Sequence, residues 1–146
     1  MEITKEIQFD AGHRIPFHKA QCWNVHGHRY RVVATLEGEP VEQPGVSDHG
    51  MVMDFGDMKR ILMQKVHDPL DHGFMVWEGD AALKKFLEEA RYKVVVMDHV
   101  PTAENIARWC YEQTKDAFVA AYGNVMRLKS ITVWETPTSS ATFAAE

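Results

Sequence analysis

The sequence predicts an α+β fold: a four-stranded antiparallel sheet with two helices on one face, in the chain order ββααββ. Near both ends of the chain, apolar and polar residues alternate with the period of two that marks a half-buried strand. Two central stretches instead repeat apolar residues with the helical period of about 3.6. No repeat or linker interrupts the 146 residues, so residues 1–146 are expected to form a single domain.

The first two strands are predicted at residues 2–13 and 28–38. Alternation along each strand turns one face toward the core. A loop rich in proline and glycine is expected to follow, over residues 38–50. The core-facing residues are Ile3, Ile7, Phe9, Ala11 and His13 in the first strand, and His26, His28, Tyr30, Val32, Ala34 and Leu36 in and just before the second.

Capping residues mark the two helices. The first is predicted from about Phe55 with Asp54 as its N-cap, and the second over Ala103–Tyr122 with Thr102 as its N-cap. Between them, residues 73–99 are expected to hold a short helix at 81–90 and a strand at 93–97. Two last strands are predicted at 128–135 and 141–144. The apolar stripes comprise Met58, Ile61, Leu62 and Val66, and Ile106, Cys110, Ala117, Phe118 and Ala121.

The composition argues against several classes of protein. The formal net charge is −5 and no basic run is present, which argues against nucleic acid as a partner. No apolar run is long enough to cross a membrane, and the first strand begins where a signal peptide would lie. Two cysteines make no disulfide framework, so the expected compartment is the reducing cytoplasm.

Three histidines on the core-facing sides of neighbouring strands are the main functional signal. His26 and His28 are two residues apart and share a face, and His13 ends the adjacent strand. A single inward histidine is usually a satisfied core residue. Three in register, with Cys22 shortly before His26, instead predict a catalytic zinc site whose fourth position is open.

Further polar groups could take part in the same chemistry. Asp71 precedes His72, and a carboxylate can fix the tautomer of an imidazole, although a solvated turn accounts for the pair as well. Glu135 ends a strand face that carries Ile131 and Val133, and it could equally face water. Positive charge, which would suit a small anionic ligand or simply be solvated, comes from Arg14, Lys19, Arg29 and Arg31.

Six motifs follow one another along the chain: Phe9-Asp10-Ala11-Gly12-His13-Arg14, Cys22-x3-His26-Gly27-His28, Met53-Asp54-Phe55-Gly56-Asp57, Leu70-Asp71-His72, Pro101-Thr102-Ala103-Glu104-Asn105 and Glu135-Thr136-Pro137. As an ordered set they resemble the 6-pyruvoyl-tetrahydropterin synthase family. The spacing of Cys22 and His26 is most similar to that of the bacterial branch, the 6-carboxy-5,6,7,8-tetrahydropterin synthases of queuosine biosynthesis.

The resemblance implies a tunnelling fold, in which three subunits close a barrel and two trimers stack into a homohexamer with active sites at the subunit interfaces. It also implies a lyase that converts 7,8-dihydroneopterin triphosphate to 6-carboxy-5,6,7,8-tetrahydropterin and releases acetaldehyde and triphosphate. In such an enzyme, His13, His26 and His28 would bind Zn²⁺.

The resemblance implies four further roles. Cys22 would move protons as a thiolate, and His72, polarised by Asp71 and supplied by a neighbouring subunit, would be its relay partner. Glu135 would anchor the pterin through its carboxylate, and Thr102 would also bind substrate. Three alternatives stay open: a 6-pyruvoyl-tetrahydropterin synthase, a hydrolytic zinc enzyme, and a zinc-binding module without catalysis.

Overall fold

The computed structural model describes all residues from Met1 to Glu146. Six strands form one sheet in the order β4-β3-β1-β2-β5-β6. The pairs β1–β2, β2–β5 and β5–β6 are antiparallel, whereas β3 pairs in parallel with both β1 and β4. The strands are β1 (Glu2–His13), β2 (His26–Gly38), β3 (Gly73–Trp77), β4 (Val94–Met97), β5 (Met126–Thr136) and β6 (Ser139–Phe143).

Four helices connect the strands. α1 (Phe55–Leu62) continues through a π-helical turn (Met63–His67) into the short α2 (Asp68–Leu70). α3 (Ala81–Glu89) lies between β3 and β4, and α4 (Ala103–Tyr122) precedes β5. Short 3₁₀ turns occupy Gln21–Trp23 and Gly123–Val125. None of the helices combines the length and the apolar character that crossing a bilayer requires.

The helix caps occur where the sequence predicted them. The carboxylate of Asp54 accepts a hydrogen bond from the main-chain N–H of Gly56 at 2.6 Å, and the hydroxyl of Thr102 accepts one from Asn105 at 3.4 Å. Gly123 ends α4 with φ of 68°, a backbone conformation that glycine adopts without the strain of a side chain. These contacts fix where α1 and α4 begin and where α4 ends.

The prediction of a four-stranded antiparallel sheet is wrong in strand number and in direction. β3 was not predicted, because its buried residues do not alternate and so give no period-two signal. The parallel pairing of β3 with β4 follows from the crossover through α3, because this helix carries the chain back so that β4 runs in the same direction as β3. β2 also begins at His26, two residues before the predicted start, so His26 lies within the strand.

The core lies between the sheet and helices α1 and α4. Alternate residues of β1 and β2 are buried, and a single apolar cluster joins them to buried residues of α1 and α4. The other face of β1 is polar and exposed at Glu2, Thr4, Glu6, Gln8 and Asp10. His13 continues the buried row of β1, which places the predicted metal ligands at one end of the core face.

Two irregularities in β5 determine the direction of Glu135. The pairing with β2 skips Lys129, so that buried positions change from Leu128 to the odd-numbered Ile131 and Val133. The pairing with β6 skips Glu135 itself. An unpaired bulge residue commonly re-aims a side chain beside a functional site.

Candidate active site

The three predicted metal ligands converge. His13 and His26 lie directly opposite each other in the pairing of β1 with β2, and His28 lies opposite Ala11. One ring nitrogen from each histidine lies within 4.8 Å of the others, and the Nε2 atoms of His13 and His26 are 3.1 Å apart. The register of two strands is therefore enough to assemble the histidine trio.

Main-chain carbonyls orient two of the rings. Nδ1 of His13 donates to the carbonyl of Pro101 at 2.7 Å, and Nδ1 of His26 donates to the carbonyl of Asn24 at 2.7 Å. A carbonyl only accepts, so these bonds place the proton on Nδ1 and leave a lone pair on each Nε2. Two lone pairs at 3.1 Å repel each other, and a shared cation removes that repulsion.

Burial favours the neutral, metal-binding form of two of the three histidines. Desolvation lowers the pKa of His13, against the opposing effect of the hydrogen bond to Pro101, and desolvation also lowers the pKa of His28. Nε2 of His28 is buried without a hydrogen-bond partner. Neutral imidazoles with free nitrogens are ligands that Zn²⁺ accepts, so the residues present fit the ion.

Glu135 lies beside the trio. Its carboxylate oxygens are 3.9 Å from Nε2 of His13 and 3.8 Å from Nε2 of His28, and a quarter of its side chain is exposed. These distances exceed those of hydrogen bonds, so the carboxylate retains acceptor capacity for another partner. The bulge in β5 thus brings a negative charge to the edge of the three histidines.

A cavity of about 300 Å³ brings Cys22, Thr102 and Glu135 together. Cys22 lies in the 3₁₀ turn between β1 and β2, Thr102 caps α4, and Glu135 is near the end of β5. Three distant parts of the sequence therefore supply a thiol, a hydroxyl and a carboxylate to the lining of one cavity. This volume is at the lower end of the range for small-molecule sites.

Asp71 and His72 form the hydrogen-bonded pair that the sequence suggested. Oδ2 of Asp71 accepts from Nδ1 of His72 at 2.9 Å, and this bond lowers the pKa of Asp71. His72 has a left-handed backbone with φ of 58°, which its N–H supports by donating to the carbonyl of Asp10 at 2.7 Å. A non-glycine residue held in that conformation is a common feature of functional sites.

The Asp71–His72 pair faces a different depression from Cys22. The imidazole of His72 is 78% exposed and borders an open depression of about 520 Å³ that Cys22 does not line. Within one chain, the structure therefore does not bring Cys22 and His72 into a common cavity.

Comparison with known proteins identifies the family of this chain. A family model described as 6-pyruvoyl tetrahydropterin synthase matches residues 2–146. The chain belongs to this family. It is 31% identical over 141 residues to the 6-carboxy-5,6,7,8-tetrahydropterin synthase of Haemophilus influenzae, a match that covers 94% of both chains. It is 36% identical over 108 residues to the protein of the same name from Rickettsia bellii, covering 73% of this chain and 75% of the relative.

A solved structure supports the same assignment. The 6-pyruvoyl tetrahydropterin synthase of Caenorhabditis elegans superimposes with a TM-score of 0.68 at 25% sequence identity, covering 100% of this chain and 96% of the other. The resemblance inferred from the motifs is confirmed. So is the prediction that the chain is an enzyme of this lyase family.

The positive cluster near the histidines is largely neutralised in this member of the 6-pyruvoyl tetrahydropterin synthase family. Arg29 pairs with Asp10 at 3.1 Å, and Arg31 pairs with Glu6 at 3.3 Å. Arg14 binds a carboxylate of the segment between β3 and α3. The three arginines are thus not a free anion-binding patch.

Sequence reasoning missed two groups at the site. The carbonyl of Pro101 orients His13, but main-chain oxygens carry no signal in a residue pattern. The hydroxyl of Tyr30 is buried without a hydrogen-bond partner, and desolvation, followed by the charges of Glu135 and Cys22, raises its pKa. The only sequence signal for Tyr30 was a polar atom in an otherwise apolar strand face.

Proposed function

We propose that this protein converts 7,8-dihydroneopterin triphosphate to 6-carboxy-5,6,7,8-tetrahydropterin, with release of acetaldehyde and triphosphate, in a zinc-dependent reaction that supplies a precursor of queuosine. The observation that carries the proposal is the convergence of three histidines with Glu135 and a cysteine-lined cavity. The similarity to bacterial proteins named for this activity supports the choice of product.

The metal of this proposal is Zn²⁺ on His13, His26 and His28. When bound, the ion would act as a Lewis acid that polarises a substrate oxygen and acidifies neighbouring C–H and O–H bonds. The carbonyls of Pro101 and Asn24 support the trio by holding the proton of two rings on Nδ1. Such supporting bonds orient ligands and raise their basicity.

The proton transfers of this proposal belong to Cys22, Asp71 and His72. The thiol of Cys22 lines the cavity beside Glu135 and would act as the base in its thiolate form. His72 would exchange protons with the same substrate from a neighbouring subunit, and Asp71 would hold its Nδ1–H and stabilise the imidazolium. The exposed ring of His72 is available for that contact.

The substrate would be oriented by Glu135 and Thr102, which border the same cavity. A pterin presents adjacent N–H donors along one edge, and an ionised carboxylate accepts two parallel hydrogen bonds. The acceptor capacity that Glu135 retains beside the histidines matches this need. Thr102 would contribute a hydroxyl from the start of α4.

Replacing Glu135 with glutamine tests the pterin anchor. Glu135→Gln keeps the shape of the side chain but turns an NH₂ group toward a pterin donor. An unpaired buried donor costs about 1–3 kcal/mol, so affinity for a non-reactive pterin should fall by roughly one to two decades in calorimetry. Zinc content and melting temperature should stay unchanged.

Two results would remove Glu135 from this role. Equal pterin affinity in both proteins would make it a solvated residue at the end of a strand. Loss of zinc in Glu135→Gln would make it a fourth metal ligand, because its oxygens already lie 3.8 to 3.9 Å from two histidines. The conservative variant Glu135→Asp serves as a control for charge, since it keeps the carboxylate and shortens its reach.

Incubation with 7,8-dihydroneopterin triphosphate, followed by mass spectrometry of all products, tests the reaction itself. Acetaldehyde with 6-carboxy-5,6,7,8-tetrahydropterin supports the proposal. A 6-pyruvoyl product with triphosphate and no acetaldehyde identifies the alternative synthase. Turnover of esters or amides without pterin turnover would indicate a hydrolase, and neither pterin binding nor turnover would leave a zinc-binding module.

Assembly is the next part of the proposal: a homohexamer of two stacked trimers with shared active sites. β1 pairs with β3 only at Ala11 and Gly12, so most of that edge of β1 is unpaired, and exposed strand edges invite association. Light scattering should give a particle of six times the 16.7 kDa chain mass. A stable and active monomer would contradict both the hexamer and a relay from a neighbouring subunit.

The compartment that we propose is the cytoplasm. Both Cys22 and Cys110 are free thiols, which a reducing compartment preserves. Thiol titration of the freshly isolated protein should therefore give two free thiols per denatured chain.

A further inference from the structure

An arginine–carboxylate pair joins the end of β1 to the segment between β3 and α3. Nε of Arg14 donates to Oδ2 of Asp80 at 2.6 Å, and Nη2 donates to Oδ1 at 2.7 Å. The side chain of Asp80 is only 6% exposed and that of Arg14 is 23% exposed. A two-pronged pair of this kind fixes both distance and orientation, and it is stronger than a neutral hydrogen bond.

The side chain of Asp80 binds Arg14 and does not cap the helix that Asp80 precedes. It occupies the N-cap of α3, where an aspartate side chain usually accepts a hydrogen bond from the first turn of the helix. Here the side chain makes no capping bond. The carboxylate binds Arg14 instead of capping its own helix.

Arg14 in turn contacts the residue that follows Cys22, and its own neighbour Ile15 binds Cys22 directly. Its guanidinium lies over the ring of Trp23, with Cζ 5.7 Å from the ring centre, and Trp23 directly follows Cys22. The N–H of Ile15, which follows Arg14, donates to the carbonyl of Cys22 at 2.8 Å. The 3₁₀ turn Gln21–Trp23, which carries Cys22, is thus held by a main-chain hydrogen bond to Ile15 and by the guanidinium that Asp80 fixes.

We propose that Asp80 and Arg14 are positioning residues that hold the Cys22 turn in place for catalysis. The segment 73–99 then acts on the active site at a distance, because the carboxylate that fixes Arg14 belongs to it. The proposal rests on the role of Cys22 in the proposed function, but the geometry predicts thiol behaviour that is measurable without substrate.

Three variants distinguish the contribution of the charges of the pair from that of its hydrogen bonds. Asp80→Asn keeps the shape and one acceptor oxygen, whereas Asp80→Ala removes both and leaves Arg14 without its partner. Asp80→Asn with Arg14→Gln removes both charges, so no unpaired charge remains to prevent folding. Glu37→Gln is the matched control, because Nε and Nη2 of Arg127 bind Glu37 at 2.8 and 2.6 Å at the other end of β2.

The kinetic readout is the division of the effect between kcat and KM. A misplaced base slows the chemical step, and small displacements of reacting groups can cost about 100-fold. We expect Asp80→Ala to lower kcat about 10- to 100-fold with little change in KM, and Asp80→Asn to lower it less. The double variant should match the larger single effect, since both residues act through one pair. Glu37→Gln should keep the kcat of the unaltered protein.

The second readout is alkylation of the thiols by iodoacetamide, followed by mass spectrometry of each cysteine. Cys22 is partly exposed, whereas Cys110 is fully buried and reports opening of the whole chain. Release of the turn should speed alkylation of Cys22 several-fold in Asp80→Ala and in the double variant. Alkylation of Cys110 should remain as slow as in the unaltered protein.

The outcomes are distinguishable. Faster alkylation of Cys22 without that of Cys110 supports the positioning role, even where the protein turns over no pterin and the proposed function fails. Unchanged Cys22 alkylation and unchanged kcat, with only a lower melting temperature, would make the pair a structural contact and overturn the proposal. Parallel acceleration at both cysteines would overturn it as well, because the pair would then stabilise the whole chain.

Discussion

Cys22→Ala should lose most turnover while it keeps its metal and its fold. Cys22 lines the cavity that Glu135 and Thr102 also border, but it is not among the three residues whose ligand atoms cluster for a metal. A positioned general base contributes on the order of 10²- to 10⁴-fold. We therefore expect kcat with 7,8-dihydroneopterin triphosphate to fall by about that factor, measured as acetaldehyde release under saturating substrate.

Cys110→Ala is the control for loss of a thiol. Cys110 is fully buried in α4, and burial raises the pKa of its thiol, so it has no access to substrate. Its removal should lower the melting temperature through lost packing and leave kcat unchanged. If Cys22→Ala instead loses zinc in proportion to its activity, Cys22 is a ligand and its role as a base is wrong.

The histidine trio could be predicted because side chains have regular positions along two paired strands. Alternation fixed which face His26 and His28 share, and the antiparallel register placed His13 opposite His26. A buried polar side chain in an apolar row is informative because burial without a partner is costly. Nothing beyond the local pattern of two neighbouring strands was needed for this part of the site.

A strand was predicted at 93–97, where β4 lies, but β3 and the parallel pairing of β3 with β4 could not be predicted from the same pattern. β3 and β4 are short and lie beside each other because of the crossover through α3, and a five-residue strand carries little periodic signal. The direction of Glu135 also depends on bulges, which shift the alternation by one residue. The order of residue types along β5 alone does not reveal where the pairing skips a residue.

Contacts between residues that are distant in sequence could not be predicted either. Arg14 and Asp80 are 66 residues apart, and Pro101 accepts from His13 across 88 residues. Each contact depends on how complete elements pack, so no spacing rule connects the partners. The separation of Cys22 from His72 within one chain is likewise a property of the packed sheet.

His28→Ala should remove the metal and, with it, the activity. His28 offers an Nε2 atom that is buried without a hydrogen-bond partner, and a metal ion would supply that partner. Loss of groups that only support a ligand typically costs 10- to 100-fold in metal affinity, and loss of a ligand should cost at least about 100-fold. Metal analysis after dialysis should therefore find little zinc in His28→Ala and one zinc per chain in the unaltered protein.

The stability of His28→Ala makes this test specific. Without metal, the trio holds two lone pairs 3.1 Å apart and one unpartnered buried nitrogen, so removal of one imidazole relieves part of that cost. We expect the metal-free variant to melt no lower than the metal-free parent, whereas added zinc should raise the melting temperature of the parent alone. His49→Ala, which alters an exposed loop histidine, should behave as the parent does. Full zinc retention with unchanged activity in His28→Ala would show that the three histidines are not the metal site.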